Sequence, residues 1–281
     1  SLEYTRRGFR IRDGRLVLPK GVRVPVVWSR VLPSEPSSVR ITRDCLGHWY
    51  ASFVVTREAE PIPVADPNSA VGIDWGVART ATATEERFDL PQHGHRKRCA
   101  AQVARAQRTM ARRRRGTGHP PSRGYRRART RAAKVQKKAA RRSRHDGRIW
   151  ARAVVEAHRL VAVEDFRPKF LSRSTMARTA ADAAIATVKR ELLEQGRRAG
   201  RKVVSVRPAY TTMTCSRCFA RAKQPLGLEE RIFRCWACGY TACRDRNAAR
   251  VILAVAERGH IGVDDVSQAD HLPPGGGAVA V

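Results

Sequence analysis

Two Cys-x-x-Cys pairs, Cys215-Ser216-Arg217-Cys218 and Cys235-Trp236-Ala237-Cys238, are separated by sixteen residues, 219–234. No other feature of the chain narrows its fold so far. Each pair turns two thiolates toward one point, and four thiolates complete the tetrahedral shell of one zinc ion. A closed shell leaves no position open for a substrate. The expected zinc on Cys215, Cys218, Cys235 and Cys238 is therefore structural. The remaining cysteines are Cys45 and Cys99, which stand alone, and Cys243, a bystander or a competing ligand. An odd total of seven points to metal rather than disulfides, and so to a reducing cytoplasm.

Charge comes next. With 56 Lys and Arg against 25 Asp and Glu, the net charge is +31. Self-repulsion of that size works against a compact state. Nucleic acid relieves it, and counterion release supplies affinity. The excess is concentrated in mid-chain: Arg96 to Arg148 holds 21 Lys and Arg and one acid, Asp146. Alanines interleave with the cations at helical spacing, and Gly116 to Gly124 interrupts them, so two basic helices joined by a loop are expected. Ordinary exposed helices mix signs; these do not. Arg112, Arg113, Arg114, Arg115, Arg126, Arg127, Lys137, Lys138, Arg141 and Arg142 are the expected phosphate contacts, tracking a backbone without reading its sequence. No run of about 18 apolar residues occurs, and no membrane partner is expected.

Residues 1–60 carry short alternating runs divided by Gly14, Gly21, Pro33, Pro36 and Gly47, the grammar of hairpins in part of a small β-barrel. The opening Ser1-Leu2-Glu3-Tyr4 has neither a start methionine nor a signal peptide, so a beginning inside a longer protein is expected. Residues 61–69, with three prolines, read as a linker. Val71 to Gly76 and Arg79 to Thr84 read as two strands, Arg159 to Asp165 as a third, and Lys202 to Pro208 as a fourth. Helices are expected from about Thr175 to Arg198 and from Asn247 to Arg258. Asp74 falls inside an apolar strand, Glu164 ends another, and Asp245 opens a helix. Singly, Glu164 could pair with an arginine and Asp245 could cap its helix. Brought together, three hard oxygen ligands suit two Mg²⁺ ions and an in-line phosphodiester displacement.

The order Val71-Gly72-Ile73-Asp74-Trp75-Gly76, then Val161-Ala162-Val163-Glu164-Asp165, then Tyr210-Thr211-Thr212-Met213-Thr214-Cys215 leading into the ribbon, then Asp245-Arg246-Asn247-Ala248-Ala249 resembles the TnpB/OrfB family of insertion-sequence proteins, relatives of type V CRISPR effectors. The resemblance covers nearly the whole chain. It implies an α/β, RNase H-like (RuvC) nuclease domain over 70–258, with a basic helical insertion at 96–158 and a zinc ribbon at 210–243. A partial, wedge-like β-barrel at 1–60 would precede it and a disordered tail at 259–281 would follow.

Under that resemblance Asp74, Glu164 and Asp245 are the metal-binding catalytic acids and Asn247 supports them. The cofactors are two Mg²⁺, with Mn²⁺ as a substitute, and one Zn²⁺. The implied partners are a guide RNA and target DNA in a prokaryotic nucleoid, base pairing reading the sequence while the protein holds the heteroduplex. Three departures stand out. Phe219 replaces the usual glycine after the first cysteine pair, His145 to Trp150 is looser than the family pattern, and the opening of the barrel with its helical lobe is not in the sequence. The alternative is a guided binding protein that does not cut; a strand-joining transposase fits the ribbon placement less well.

Overall fold

The computed structural model describes residues 1–58, 61–166, 176–227 and 229–266. The Pro- and Gly-rich stretch from Pro273, expected to be disordered, lies outside them, as does Thr175. The chain forms two compact units, residues 1–59 with 99–138 and residues 60–98 with 139–281. The basic segment expected to belong wholly to the nuclease domain is thus shared between them.

The first unit holds strands β1 (Leu2–Thr5), β2 (Arg10–Arg12), β3 (Arg15–Val17), β4 (Arg23–Pro25), β5 (Ser38–Arg43) and β6 (Trp49–Val54). They form two antiparallel sheets, β1-β5-β6 and β2-β3-β4. Asp13 and Gly14, both at positive φ (49° and 70°), close the β2–β3 hairpin in the left-handed turn that strand twist favours. Period-two alternation turns Val39, Ile41, Ala51 and Phe53 inward to meet Phe9 and Leu16. Where part of a small barrel was expected, the strands form two sheets over one small core. Among the described residues no ladder joins them.

The second unit begins with β7 (Ala70–Trp75), β8 (Arg79–Ala83) and β9 (Leu90–Pro91). Helix α1 (His95–Arg112) leaves it, and α2 (Arg123–Ala157) returns to it as one helix of 35 residues. Then follow β10 (Leu160–Glu164), α3 (Ala177–Ala183), α4 (Ile185–Arg198), β11 (Lys202–Val206), β12 (Ile232–Arg234), β13 (Thr241–Cys243) and α5 (Arg244–Glu257). The central sheet runs β11-β10-β7-β8-β9; β7, β10 and β11 are parallel, while β8 and β9 are antiparallel additions.

Val71, Ile73, Val161 and Val163 meet Trp150, Val154, Val188 and Leu192 in the main core. Each such side chain contributes about 1.5–3 kcal/mol by burial. The opposite face carries Ala162 and Val206 against Val251, Ile252 and Val255 of α5.

Two expectations are corrected here. The single helix expected up to Arg198 is broken at Ala184, whose φ is 54°. Asp182 accepts hydrogen bonds from Arg96 N–H (2.8 Å) and Lys97 N–H (3.0 Å), capping α1, and Thr80 Oγ1 donates to the Ala183 carbonyl at 3.2 Å. These contacts fix the break. Residues 259–266, placed in the expected disordered tail, fold back: Val263 is buried, and Arg207 Nη2 reaches both Asp265 carboxylate oxygens at 2.7 Å. Among the described residues no helix is long and apolar enough to cross a membrane.

Candidate functional site

Alternation along two neighbouring parallel strands decides where the acids stand. Val71, Ile73 and Trp75 of β7, like Val161 and Val163 of β10, face the main core. Gly72 and Asp74, and Ala162 and Glu164, therefore face the other way. Ile73 pairs with Val163 in parallel register, so Asp74 and Glu164, each the next residue, project side by side. They are 7% and 6% exposed.

Helix α5 covers that face. Gly72 permits the approach: a Cβ there would lie 2.0 Å from the Ala249 carbonyl oxygen and 2.8 Å from Leu253 Cβ. Asp245 stands one turn ahead of Ala249, in the first turn of α5, and its charge reaches Asp74.

The electrostatics follow from this crowding. Burial, reinforced by the charges of Glu164 and Asp245, holds the Asp74 carboxyl well above its usual range. Burial pushes Glu164 up to about 7, against the opposing pull of the Thr211 hydroxyl and the Lys189 ammonium. Buried carboxylates of like charge are stable as anions only beside cations. Among the described residues the four cysteines are the one group of three or more His, Cys, Asp or Glu side chains whose ligand atoms all lie within 4.8 Å of one another. The oxygens of the three acids do not all lie within that distance of one another.

Three side chains that the sequence reading passed over complete the surroundings. Thr211, fully buried, donates its hydroxyl to Glu164 Oε1 at 3.4 Å. Trp75 Nε1 donates to the Glu164 carbonyl at 3.1 Å. Lys189 is held by Asp165 at 2.8 Å. Trp75 and Thr211 adjoin motif residues, which was a usable signal; Lys189, on α4, offered none.

Asn247 is buried and its amide is spent on backbone, accepting from Ser216 N–H at 2.9 Å and donating to the Thr214 carbonyl at 2.7 Å. It ties α5 to the segment that opens the cysteine module.

In that module Cys215 Sγ lies 3.8 Å from Cys238 Sγ, and Cys218 Sγ lies 3.5 Å from Cys235 Sγ. Sulfurs bound at about 2.3 Å to one tetrahedral zinc stand about 3.8 Å apart, so the donor set fits a metal ion. Burial pushes the Cys215 thiol up to about 12, whereas the Tyr240 backbone N–H brings Cys238 down to about 7. Cys243 lies outside the cluster, on β13.

Of the expected phosphate contacts, Arg112 ends α1, and Arg113, Arg114 and Arg115 follow it in the turn, all exposed; Arg126, Arg127, Lys138, Arg141 and Arg142 are exposed along α2. Lys137 differs. Its ammonium pairs with Asp44 and donates to the Tyr50 hydroxyl at 2.9 Å, so a phosphate would have to displace a carboxylate already in place.

The comparisons with known proteins agree with this layout. A family model described as "Probable transposase" matches residues 52–175, and one described as "Cas12f1-like, TNB domain" matches residues 186–252. A Streptomyces pristinaespiralis protein named "Putative RNA-guided DNA endonuclease" is 32% identical over 263 residues, covering 90% of this chain and 62% of that protein. "Putative RNA-guided DNA endonuclease InsQ" of Escherichia coli K12 is 29% identical over 258 residues, covering 86% of this chain and 62% of that protein. The chain thus spans 62% of the length of either relative. A solved Cas12f1–sgRNA–target DNA complex shares the fold with a TM-score of 0.53 at 17% identity, over 78% of this chain and 45% of that one.

Proposed function

The chain belongs to the TnpB/OrfB family of insertion-sequence proteins, and from that premise we propose that it serves as a metal-dependent DNA endonuclease directed by a guide RNA. One observation carries the reading: Asp74 and Glu164 are buried side by side on adjacent parallel strands, with the charge of Asp245 in reach. Leaving such carboxylates without cations costs several kcal/mol per ion. Hard oxygen donors select Mg²⁺, or Mn²⁺ in its place, and Asp74, Glu164 and Asp245 would hold the pair. Bound there, the ions supply activation of water and stabilisation of a leaving 3′ oxygen.

The chain's own residues do the positioning. Thr211 orients one Glu164 oxygen, Trp75 fixes the Glu164 backbone, and Lys189 adds a positive charge beside the acids. A mixed sheet with its acids on adjacent central strands supports the RNase H-like, RuvC reading. The fit of the four sulfurs supports a structural zinc, which would brace the segment that Asn247 ties to α5. Guide RNA and target DNA are the proposed partners, supported by the net charge of +31 and by the names of the relatives.

The test is cleavage of guide-matched plasmid in Mg²⁺ by chain co-purified with its RNA. Asp74→Ala is expected to abolish cutting and to leave nucleic-acid affinity within about twofold, because no phosphate-binding cation is lost. Undiminished cutting would remove Asp74 from the site. Tight binding without cutting by the unaltered chain would leave a guided binding protein.

A further inference from the structure

Helix α5 starts without a side-chain cap, yet its first turn must hold Asp245 over the sheet. Asn247 anchors that turn through Ser216 and Thr214. Arg246, between the two, is anchored elsewhere: its partners belong to the sheet edge.

The reason lies in where the edge strand stops. Strand β9 pairs with β8 only as far as Leu90 opposite Ala81. The Ala83 N–H and carbonyl beyond that point need other partners. Asp89 Oδ1 accepts the N–H at 2.9 Å, and Arg246 Nη1 donates to the carbonyl at 2.7 Å. Arg246 also closes on Asp89 as a fork, with Nη1 3.1 Å from Oδ1 and Nη2 2.9 Å from Oδ2. Arg79 pairs with the same carboxylate. The Arg246 and Asp89 side chains are only 15% and 8% exposed. A bidentate pair so shielded fixes angle as well as distance, which a single ammonium contact would not.

Strand register turns this clamp toward the acids. Ala83 stands opposite Ile73, the residue before Asp74, and Arg246 is the residue after Asp245. The clamp therefore sets how far, and at what rotation, the first turn of α5 stands from β7 at Asp74. Both Arg246 Nη atoms are committed to Asp89 and Ala83, so the side chain acts by holding backbone. We propose that Arg246, gripped by Asp89 and the Ala83 carbonyl, is the positioning residue that sets Asp245 against Asp74 for shared binding of divalent cations. The inference rests on the reading of these carboxylates as the cation site.

The experiment titrates the full chain with Mn²⁺ and follows the electron paramagnetic resonance signal of the free ion. Arg246→Ala is expected to weaken Mn²⁺ affinity about 10- to 100-fold, the usual effect of losing a group that orients metal ligands. Arg246→Lys, the milder variant, keeps a charge without the fork and should lose affinity in the same direction. Asp89→Ala should match Arg246→Ala, and the double variant should be no worse than either, because the pair works as one unit. Val154→Ala, a truncation in the main core on the other face of the sheet, should lower the melting temperature and leave Mn²⁺ affinity unchanged. Wild-type affinity in both arginine variants, losses that multiply in the double variant, or an equal loss in Val154→Ala would overturn the proposal. Asp74→Ala separates the two claims. If it binds Mn²⁺ like the unaltered chain, the cation-site reading falls and this inference with it. If it loses the ions while the Arg246 variants keep them, this inference falls alone.

Discussion

Phe219 shows how much one residue can carry. It follows the first cysteine pair as Gly239 follows the second, and both are left-handed, with φ of 58° and 69°. The knuckle demands that backbone whichever residue occupies it. Phenylalanine accepts the strain because its ring packs on the core beneath α5 and lies 4.6 Å from the Arg258 guanidinium. Phe219→Gly should relieve strain while losing packing, and Phe219→Ala should lose packing alone. The glycine variant is expected to be more stable than the alanine variant by about 1 kcal/mol in thermal unfolding; the reverse order would show that strain is unimportant there. Glu164 makes a second residue-scale prediction. Burial raises its folded value to about 7 from an ordinary 4.5, so between those limits the folded chain binds more protons than the unfolded chain. Stability attributable to Glu164 must then fall as pH rises through that window. In Mg²⁺-free buffer, Glu164→Gln should gain thermal stability relative to the unaltered chain at pH 8 but not at pH 4. A pH-independent difference would contradict this.

Among elements, the packing of α5 on β7 does most to assemble the site, and it is set by the absence of a side chain at Gly72. Gly72→Val would drive a branched side chain into the Ala249 carbonyl and lift α5, with Asp245 and Asn247, from the sheet. Overpacking of this kind costs about 1–3 kcal/mol or more. The variant should unfold at lower temperature and lose cutting; wild-type behaviour in both assays would refute the packing argument. Strands β7 and β10 were legible in the sequence because burial on both faces leaves an unbroken hydrophobic signature. The break at Ala184 was not, since no glycine or proline marks it and hydrogen bonds from Thr80 and to Asp182 impose it.

At the scale of the whole molecule, a chain of net charge +31 brings its acids to one sheet face and spreads its arginines along two long helices. The cysteines were readable because ligand chemistry restricts residue type and spacing, and the three acids stood out by their placement inside a strand, at a strand end and at a helix start. Lys189 and the commitment of Lys137 to Asp44 were not, since each is a pairing that only the folded chain creates. Removal of Arg112, Arg113, Arg114 and Arg115 together should flatten the salt dependence of duplex affinity by about 0.9 for each phosphate those arginines neutralise; an unchanged slope would take these residues out of the interface. The most direct test of the account is anomalous diffraction at the manganese edge from crystals grown with Mn²⁺. Two peaks about 4 Å apart, ligated jointly by Asp74, Glu164 and Asp245, are the predicted result. Manganese absent from these carboxylates, or bound to one of them without the others, would contradict it.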